Sequence, residues 1–408
     1  MTVGESIASE SRPLSNSDQH VRVQSPDIGV ISLALDRWGK NWKSRHQILT
    51  RLAKHFEVTW LNPAPGWRDA LRAHRLQSRE TTPAGLPSSF VVRDASSLTP
   101  VVYRPRVVGD ALFTARLRSA RAALKRRGCR RIVLYVWHLD FAKALDRVPH
   151  DWSVYHIYDE YSHSEVEQPL DSAEDRLIRA VDQVITVSPM MFARKASLNP
   201  NRVLLTNGVD YEAFAQTVAE PPDLRNIPRP RIGYAGVVKR QLDWDLISAL
   251  VARHPDWSFV FAGARAPHHD IAVTLDRLAK MPNVTFLGMK AVDELASYPQ
   301  HFDVCVMPYR ENDYSKYIYP LKLHEYLASG RPVVSIPLPA LAGLERHVTV
   351  ARGPDDWERA IQRSLADSSN ARGRAERQAE AHRHDWSTIA DEIASLIRRG
   401  LDGRLTTS

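Results

Sequence analysis

The chain has 408 residues, 43% of them apolar and 25% charged, and a net charge of +8. That length suits two domains, and that balance excludes a wholly disordered, collagen-like or coiled-coil chain. Two cysteines, Cys129 and Cys305, exclude a disulfide framework or a Cys-rich metal site, and no apolar run approaches the ~20 residues of a membrane span.

The first 26 residues are rich in Ser, Asp and Glu and lack an apolar core. They read as a loose tail rather than a secretory signal, with a reducing cytoplasm as the expected compartment. Short apolar runs then alternate with helical patterns. Strands are expected at 28–35, 57–61, 132–137, 154–158, 183–187 and 203–205, with an irregular stretch after the second. Helices are expected at 45–55, 112–127, 171–181 and 189–197. Residues 217–230 hold Pro221, Pro222, Pro228 and Pro230 and read as a linker. The alternation restarts with strands at 231–235, 258–262, 284–287, 304–307 and 332–336, and two or three helices close the chain between 355 and 400.

Alternating strands and helices imply parallel sheets covered on both faces. The expected organisation is a tail (1–26), a Rossmann-like domain (27–216), the linker (217–230), a second Rossmann-like domain (231–385) and a C-terminal helix and tail (386–408) packing back. Ligands of such sheets sit at the carboxyl ends of the strands, here in a cleft between facing domains.

Residues 318–335 carry the most chemistry. Pro320 suits a helix start, and Gly330 followed by Pro332 suits its end. Lys322, Glu325 and Ser329 form one polar stripe on that helix. A cation in a first turn opposes the macrodipole by about 0.3–1 kcal/mol. A bound diphosphate would remove the conflict, because free N–H groups and the ammonium would both face it. Glu325, one turn on, could accept from two ribose hydroxyls. The plainer alternative is a surface Lys–Glu pair.

The segment Pro320-Leu-Lys322-Leu-His-Glu325-Tyr-Leu-Ala-Ser-Gly330-Arg-Pro332-Val-Val resembles the donor-site motif of nucleotide-sugar glycosyltransferases of the two-Rossmann-domain (GT-B) fold. The resemblance is to the family-4-like enzymes of bacterial envelope and exopolysaccharide synthesis, including teichuronic-acid-type transferases. Asn207-Gly208-Val209-Asp210, Ile232-Gly233-Tyr234-Ala235-Gly236 and Asp303-Val304-Cys305-Val306-Met307-Pro308 agree with the family in order and spacing. Together they span about residues 27–390. The resemblance implies a nucleoside-diphosphate sugar as donor substrate, a saccharide or lipid-linked acceptor, and no required metal or other cofactor. Many retaining members carry a Glu eight positions before the second Glu of the motif. Here that position is Tyr317, which leaves retention or inversion open.

For the donor, the resemblance implicates Gly236, Lys239, Arg240, Tyr319, Lys322 and Glu325. On the acceptor side stand Trp38 and Gly39, in the loop after the first strand. Asp159 and Glu160 follow a strand, where one carboxylate could take the acceptor proton. His138 follows another and by resemblance contacts the donor sugar; a turn acid and a structural His are the plainer alternatives. Asp243-Trp244-Asp245 looks like an Asp-x-Asp metal motif, but its place before Leu246 and Ile247 suits a helix cap better. A sugar-nucleotide epimerase or hydrolase, or a non-catalytic nucleotide-sugar-binding protein, are the alternative functions. An oxidoreductase is disfavoured because no Gly-x-Gly-x-x-Gly follows the first strand.

The charge is uneven. Residues 66–131 hold 15 Lys/Arg and 4 Asp/Glu, leaving the rest of the chain at −3. From Ala111 to Arg131 there are eight basic residues and no acidic one. Phe113, Leu117, Ala120 and Leu124 form one apolar face, and residues 67–79 add Trp67, Arg68, Arg72, Arg75 and Arg79. Such a stretch is expected to meet an anionic membrane surface, placing the protein on the inner face of the cytoplasmic membrane. A solvated basic face is the alternative. Nothing resembling a nucleic-acid-binding motif accompanies it.

Overall fold

The computed structural model describes residues 23–39, 42–63, 80–94, 106–163, 172–267 and 269–405. Two compact units divide them. One comprises the described residues up to Leu205 together with those from Ser387 onward, and the other runs from Thr206 to Trp386.

The first unit holds β1 (Ile28–Leu33), β2 (Glu57–Leu61), β3 (Glu80–Thr81), β4 (Phe90–Arg93), β5 (Arg131–Val136), β6 (Trp152–Ile157), β7 (Gln183–Thr186) and β8 (Arg202–Leu204). Their order is β3-β4-β2-β1-β5-β6-β7-β8, parallel except for β3 against β4. β1 and β6 are buried at every residue, as near-continuous apolar runs between helical layers should be. The main helices are α1 (Ser44–Leu52), α2 (Arg106–Arg126), α3 (Ser172–Ala180) and α4 (Pro189–Arg194). β3 and β4 fall where the sequence reads as irregular. β4 is only four residues long, too short to show a period.

The second unit holds β9 (Arg231–Ala235), β10 (Ser258–Ala262), β11 (Val284–Gly288), β12 (Val304–Met307), β13 (Val333–Ser335) and β14 (Val348–Val350). They form one parallel sheet ordered β11-β10-β9-β12-β13-β14. Its main helices are α5 (Trp244–Arg253), α6 (Leu321–Ala328), α7 (Gly353–Asp367) and α8 (Ala371–Arg383). In each sheet the strand order reverses direction once, between β1 and β5 and between β9 and β12. Those switch points are where doubly wound sheets open to ligands.

The division falls at residue 205 rather than at the Pro-rich stretch, and 217–230 belong to the second unit. Side chains of that unit bind the carbonyls nearby: Gln300 Nε2 donates to Phe214 (3.1 Å) and Gln216 (2.6 Å), and Arg231 Nε donates to Ile227 (2.9 Å). The last helix, α9 (Trp386–Leu405), packs on the first unit. Arg131 reaches Asp402 at 2.9 Å, and His55 Nε2 lies 2.7 Å from Asp391. The tail expected at the N-terminus lies mostly outside the described residues. No described helix is long and apolar enough to cross a membrane.

Candidate functional site

In the second unit, β9 runs into Gly236, whose φ of +138° suits glycine. Its N–H donates to the Ala262 carbonyl at 2.7 Å. Gly263, at φ +151°, lies so close that a β-carbon there would sit 2.1 Å from the Gly236 oxygen. The two glycines let the ends of β9 and β10 close into one flat turn. Over it lies Lys322, from the first turn of α6, with Nζ 5.1 Å from the centre of the Tyr234 ring. Pro320 is the N-cap of α6 and no acid stands in its first turn. Gly330 takes φ +73° just beyond the helix, as the sequence implies.

Tyr326 fixes this helix to the strand: its buried hydroxyl accepts the Ala235 N–H at 2.8 Å. Glu325, one turn after Lys322, is half-buried. Burial pushes its carboxyl above the usual range, and the Lys322 ammonium opposes that rise. Lys239, on the loop after Gly236, places Nζ 3.1 Å from the Tyr314 hydroxyl, and Arg240 beside it is exposed. Gly236, Lys239, Arg240, Lys322 and Glu325 thus gather at or near the β9 end of the sheet. Tyr319 is different. It is buried, its hydroxyl bonds His324 Nε2 (2.8 Å) and its carbonyl accepts from Asn207 (2.7 Å), so it braces the helix entrance rather than offering a free hydroxyl. Asp243 caps α5, its carboxylate accepting the Leu246 N–H at 3.0 Å.

In the first unit, His138 stands at the end of β5, beside the switch point. It is 5% exposed, and Nδ1 accepts the Asp140 N–H at 3.2 Å. That bond assigns the proton to Nε2, leaving an N–H to donate. Burial holds its pKa below the usual value, Asp140 opposing and Arg45 assisting. Arg45, from the first turn of α1, is itself buried. It pairs with Asp36 and lies over the Tyr158 ring at 4.6 Å, across the ends of β1 and β6. Trp38 is half-buried against Trp60 and Phe90, and Gly39 beside it is exposed.

The two carboxylates after β6 have separate fates. Asp159 is half-buried. Glu160 is 2% exposed and lies 3.4 Å from Lys195, which also pairs with Glu174 at 2.8 Å. Tyr155 donates to Glu174 at 3.0 Å. With Arg194 also 3.8 Å from it, Glu160 belongs to a buried ion-paired cluster, and the expectation that it serves as the catalytic base is replaced by an ion-pair role.

The basic stretch is also largely engaged. Arg116 donates to the Asn62 carbonyl, Arg121 to Pro149, Lys125 to Arg130, while Arg127 pairs with Glu57 and Arg131 with Asp27. Arg118, Arg126 and Arg130 remain exposed. Arg130 lies by Asp27, at the end of the sheet opposite the switch-point loops. Trp67, Arg68, Arg72, Arg75 and Arg79 lie outside the described residues.

Residues 229–367 match the family described as glycosyl transferases group 1. The matched residues lie within the second unit. A putative teichuronic acid biosynthesis glycosyltransferase, TuaH of Bacillus subtilis (strain 168), is 29% identical over 236 residues, 55% of this chain and 58% of that relative. The match thus spans little more than half of the relative's length. Among solved structures, sucrose-phosphate synthase from Thermosynechococcus elongatus superposes with a TM-score of 0.68 at 19% identity, covering 91% of this chain and 98% of that one. Anabaena HepE in complex with UDP and glucose gives 0.62 at 16% identity, covering 91% and 99%. The fold is GT-B. Three residues escaped the sequence reading of this glycosyltransferase fold. Tyr326 is legible only as part of an apolar helix face. Arg45 and Asn62 carry no motif; the first turn of α1 brings one to its site and the end of β2 the other.

Proposed function

We propose that the protein transfers a sugar from a nucleoside-diphosphate sugar to a saccharide or lipid-linked acceptor in envelope or exopolysaccharide synthesis. The observation that carries this reading is the Lys322 ammonium lying over the Gly236 turn at a helix N-terminus, with Glu325 one turn on. Lys322, Lys239 and Arg240 would neutralise the diphosphate as the bond from its oxygen to the anomeric carbon breaks. Glu325 would accept from the ribose hydroxyls. In the first unit the Nε2–H of His138 would donate to a hydroxyl of the donor sugar. As the new bond forms from the acceptor oxygen to the anomeric carbon, Asp159 would take the acceptor proton. No metal is required, because cations and helix N–H groups do that work. Tyr317 stands where many retaining members have Glu, so stereochemistry is read from the product's anomeric configuration.

The expected site is cytoplasmic, with contact to the anionic membrane face through Arg118, Arg126 and Arg130. At about 1 kcal/mol per cation this is a weak, salt-sensitive attachment. Absence of binding to anionic liposomes at low salt would end it without touching the transferase reading. The donor reading is tested by calorimetry with UDP, GDP and dTDP on the wild type, Lys322→Ala and Glu325→Ala. Affinity for one nucleotide should fall about tenfold or more in each variant; unchanged affinity in both overturns the assignment. Donor turnover without any acceptor would instead favour the epimerase or hydrolase alternative.

A further inference from the structure

A second set of cations gathers at the carboxyl ends of β1, β2 and β4. Asn62 is its hub. Its side-chain oxygen accepts the Trp38 N–H (2.6 Å) and its side-chain amide donates to Asp94 Oδ1 (2.8 Å). Its backbone N–H donates to the Arg93 carbonyl (3.1 Å), and its own carbonyl accepts from Arg116 Nη2. Arg37 pairs with the same Asp94 oxygen at 3.0 Å and donates to the Pro63 carbonyl at 3.2 Å. Arg93 is matched elsewhere, by Glu80 (3.1 Å) and the Ser119 hydroxyl (2.9 Å).

Asp94 is thus ion-paired with Arg37 and acts on Arg116 only at longer range. Arg116 has no ion-pair partner among the described residues, and of its five N–H donors one is bonded to a neutral carbonyl. Its guanidinium is desolvated, and that burial, reinforced by Arg37 and only partly opposed by Asp94, pushes its pKa down to about 10. A desolvated cation beside a like charge is costly unless something anionic completes it. Guanidinium groups suit planar or tetrahedral oxyanions, which they bind through paired N–H bonds. The cluster borders Trp38, at the sheet end where α/β folds take ligands.

We propose that Arg37 and Arg116, held in place by Asn62, bind a carboxylate or phosphate group carried by the acceptor. This rests on reading the first unit as the acceptor side. The acceptor is then an anionic saccharide, such as a uronic acid, or one bearing a phosphoryl group next to the hydroxyl that reacts.

The test titrates inorganic phosphate, D-glucuronate and D-glucose, separately, into the full chain and into Arg116→Gln, Arg37→Gln and Lys322→Ala, followed by calorimetry. Phosphate or glucuronate should bind the wild type, bind both arginine variants about tenfold or more weakly, and bind Lys322→Ala normally. Binding of phosphate alone assigns a phosphoryl group, and of glucuronate alone a uronate. Glucose binding as well as glucuronate, anion affinity unchanged in the arginine variants, or loss confined to Lys322→Ala each overturns the proposal. Arg37 is exposed, so its variant keeps the test open if Arg116→Gln does not fold. Nucleoside-diphosphate binding in the same samples reports separately on the transferase reading.

Discussion

A β-carbon on Gly236 would lie 2.4 Å from the Nζ and Cε atoms of Lys322. The strand turn and the helix cation are therefore one device: the turn leaves room for the ammonium, and the ammonium covers the turn. Gly236→Ala should displace Lys322 and also strain a backbone at φ +138°. We expect nucleoside-diphosphate affinity to fall about tenfold or more. Stability should fall by about 1–2 kcal/mol, read from urea denaturation. Wild-type affinity in this variant would separate the turn from the binding site.

Acid should destabilise the first unit through two buried histidines. His46 and His156 are both held neutral, with pKa values lowered to about 3. Burial is the main cause in each, with Arg45 adding repulsion and Lys43 adding more at His46. In the unfolded chain each titrates near ~6.5. Their folded values are depressed, so between these limits the unfolded state binds protons that the native state refuses. Stability is then retained above pH ~6.5 and lost as pH falls towards 3, by about 1.4 kcal/mol per pH unit for each histidine. Urea midpoints measured from pH 7 to 5 should show this slope. His156→Gln should make that slope shallower, and an unchanged slope would contradict it.

The fold was legible because its central strands are buried on both faces and read as apolar runs. β2, β9, β10 and β12 occupy the expected positions, while β4 and β14 were too short to announce themselves. Helix spacing puts Lys322 and Glu325 on one stripe, as the structure has them, while their donor role is read from the family resemblance. Residues whose role depends on contacts between distant segments were not legible. Glu160 looked like Asp159's equal until Lys195, 35 positions later in sequence, proved to be its partner. Tyr319 was expected on the donor, but His324 takes its hydroxyl. The Pro-rich stretch looked like a linker because composition does not reveal that Gln300 and Arg231 bond its neighbourhood.

The carboxylates after β6 should separate by experiment. Lys195→Met leaves Glu160 and Glu174 buried without their shared cation. It should cost about 3–5 kcal/mol, as breaking a buried pair generally does. Glu160→Gln should likewise lower the melting temperature. Asp159→Asn should reduce sugar transfer by about 10²-fold or more, the scale of general-base loss. If Glu160→Gln were as stable as wild type but inactive, the catalytic assignment would move from Asp159 to Glu160.

Asp243 offers the cleanest test of whether the Asp-Trp-Asp segment touches chemistry. Its carboxylate is engaged by the Leu246 N–H, and its own backbone N–H donates to the Pro308 carbonyl at 2.7 Å, tying the start of α5 to the end of β12. An N-cap removed by alanine costs ~1 kcal/mol. Asp243→Ala should therefore lower stability by about that much while nucleotide affinity and transfer persist. Were the segment a metal site bridging the donor diphosphate, the same substitution would abolish turnover, and chelation by EDTA would do so in the wild type. Transfer that survives both treatments leaves Lys322, Lys239, Arg240 and the N-terminus of α6 as the groups that meet the diphosphate charge.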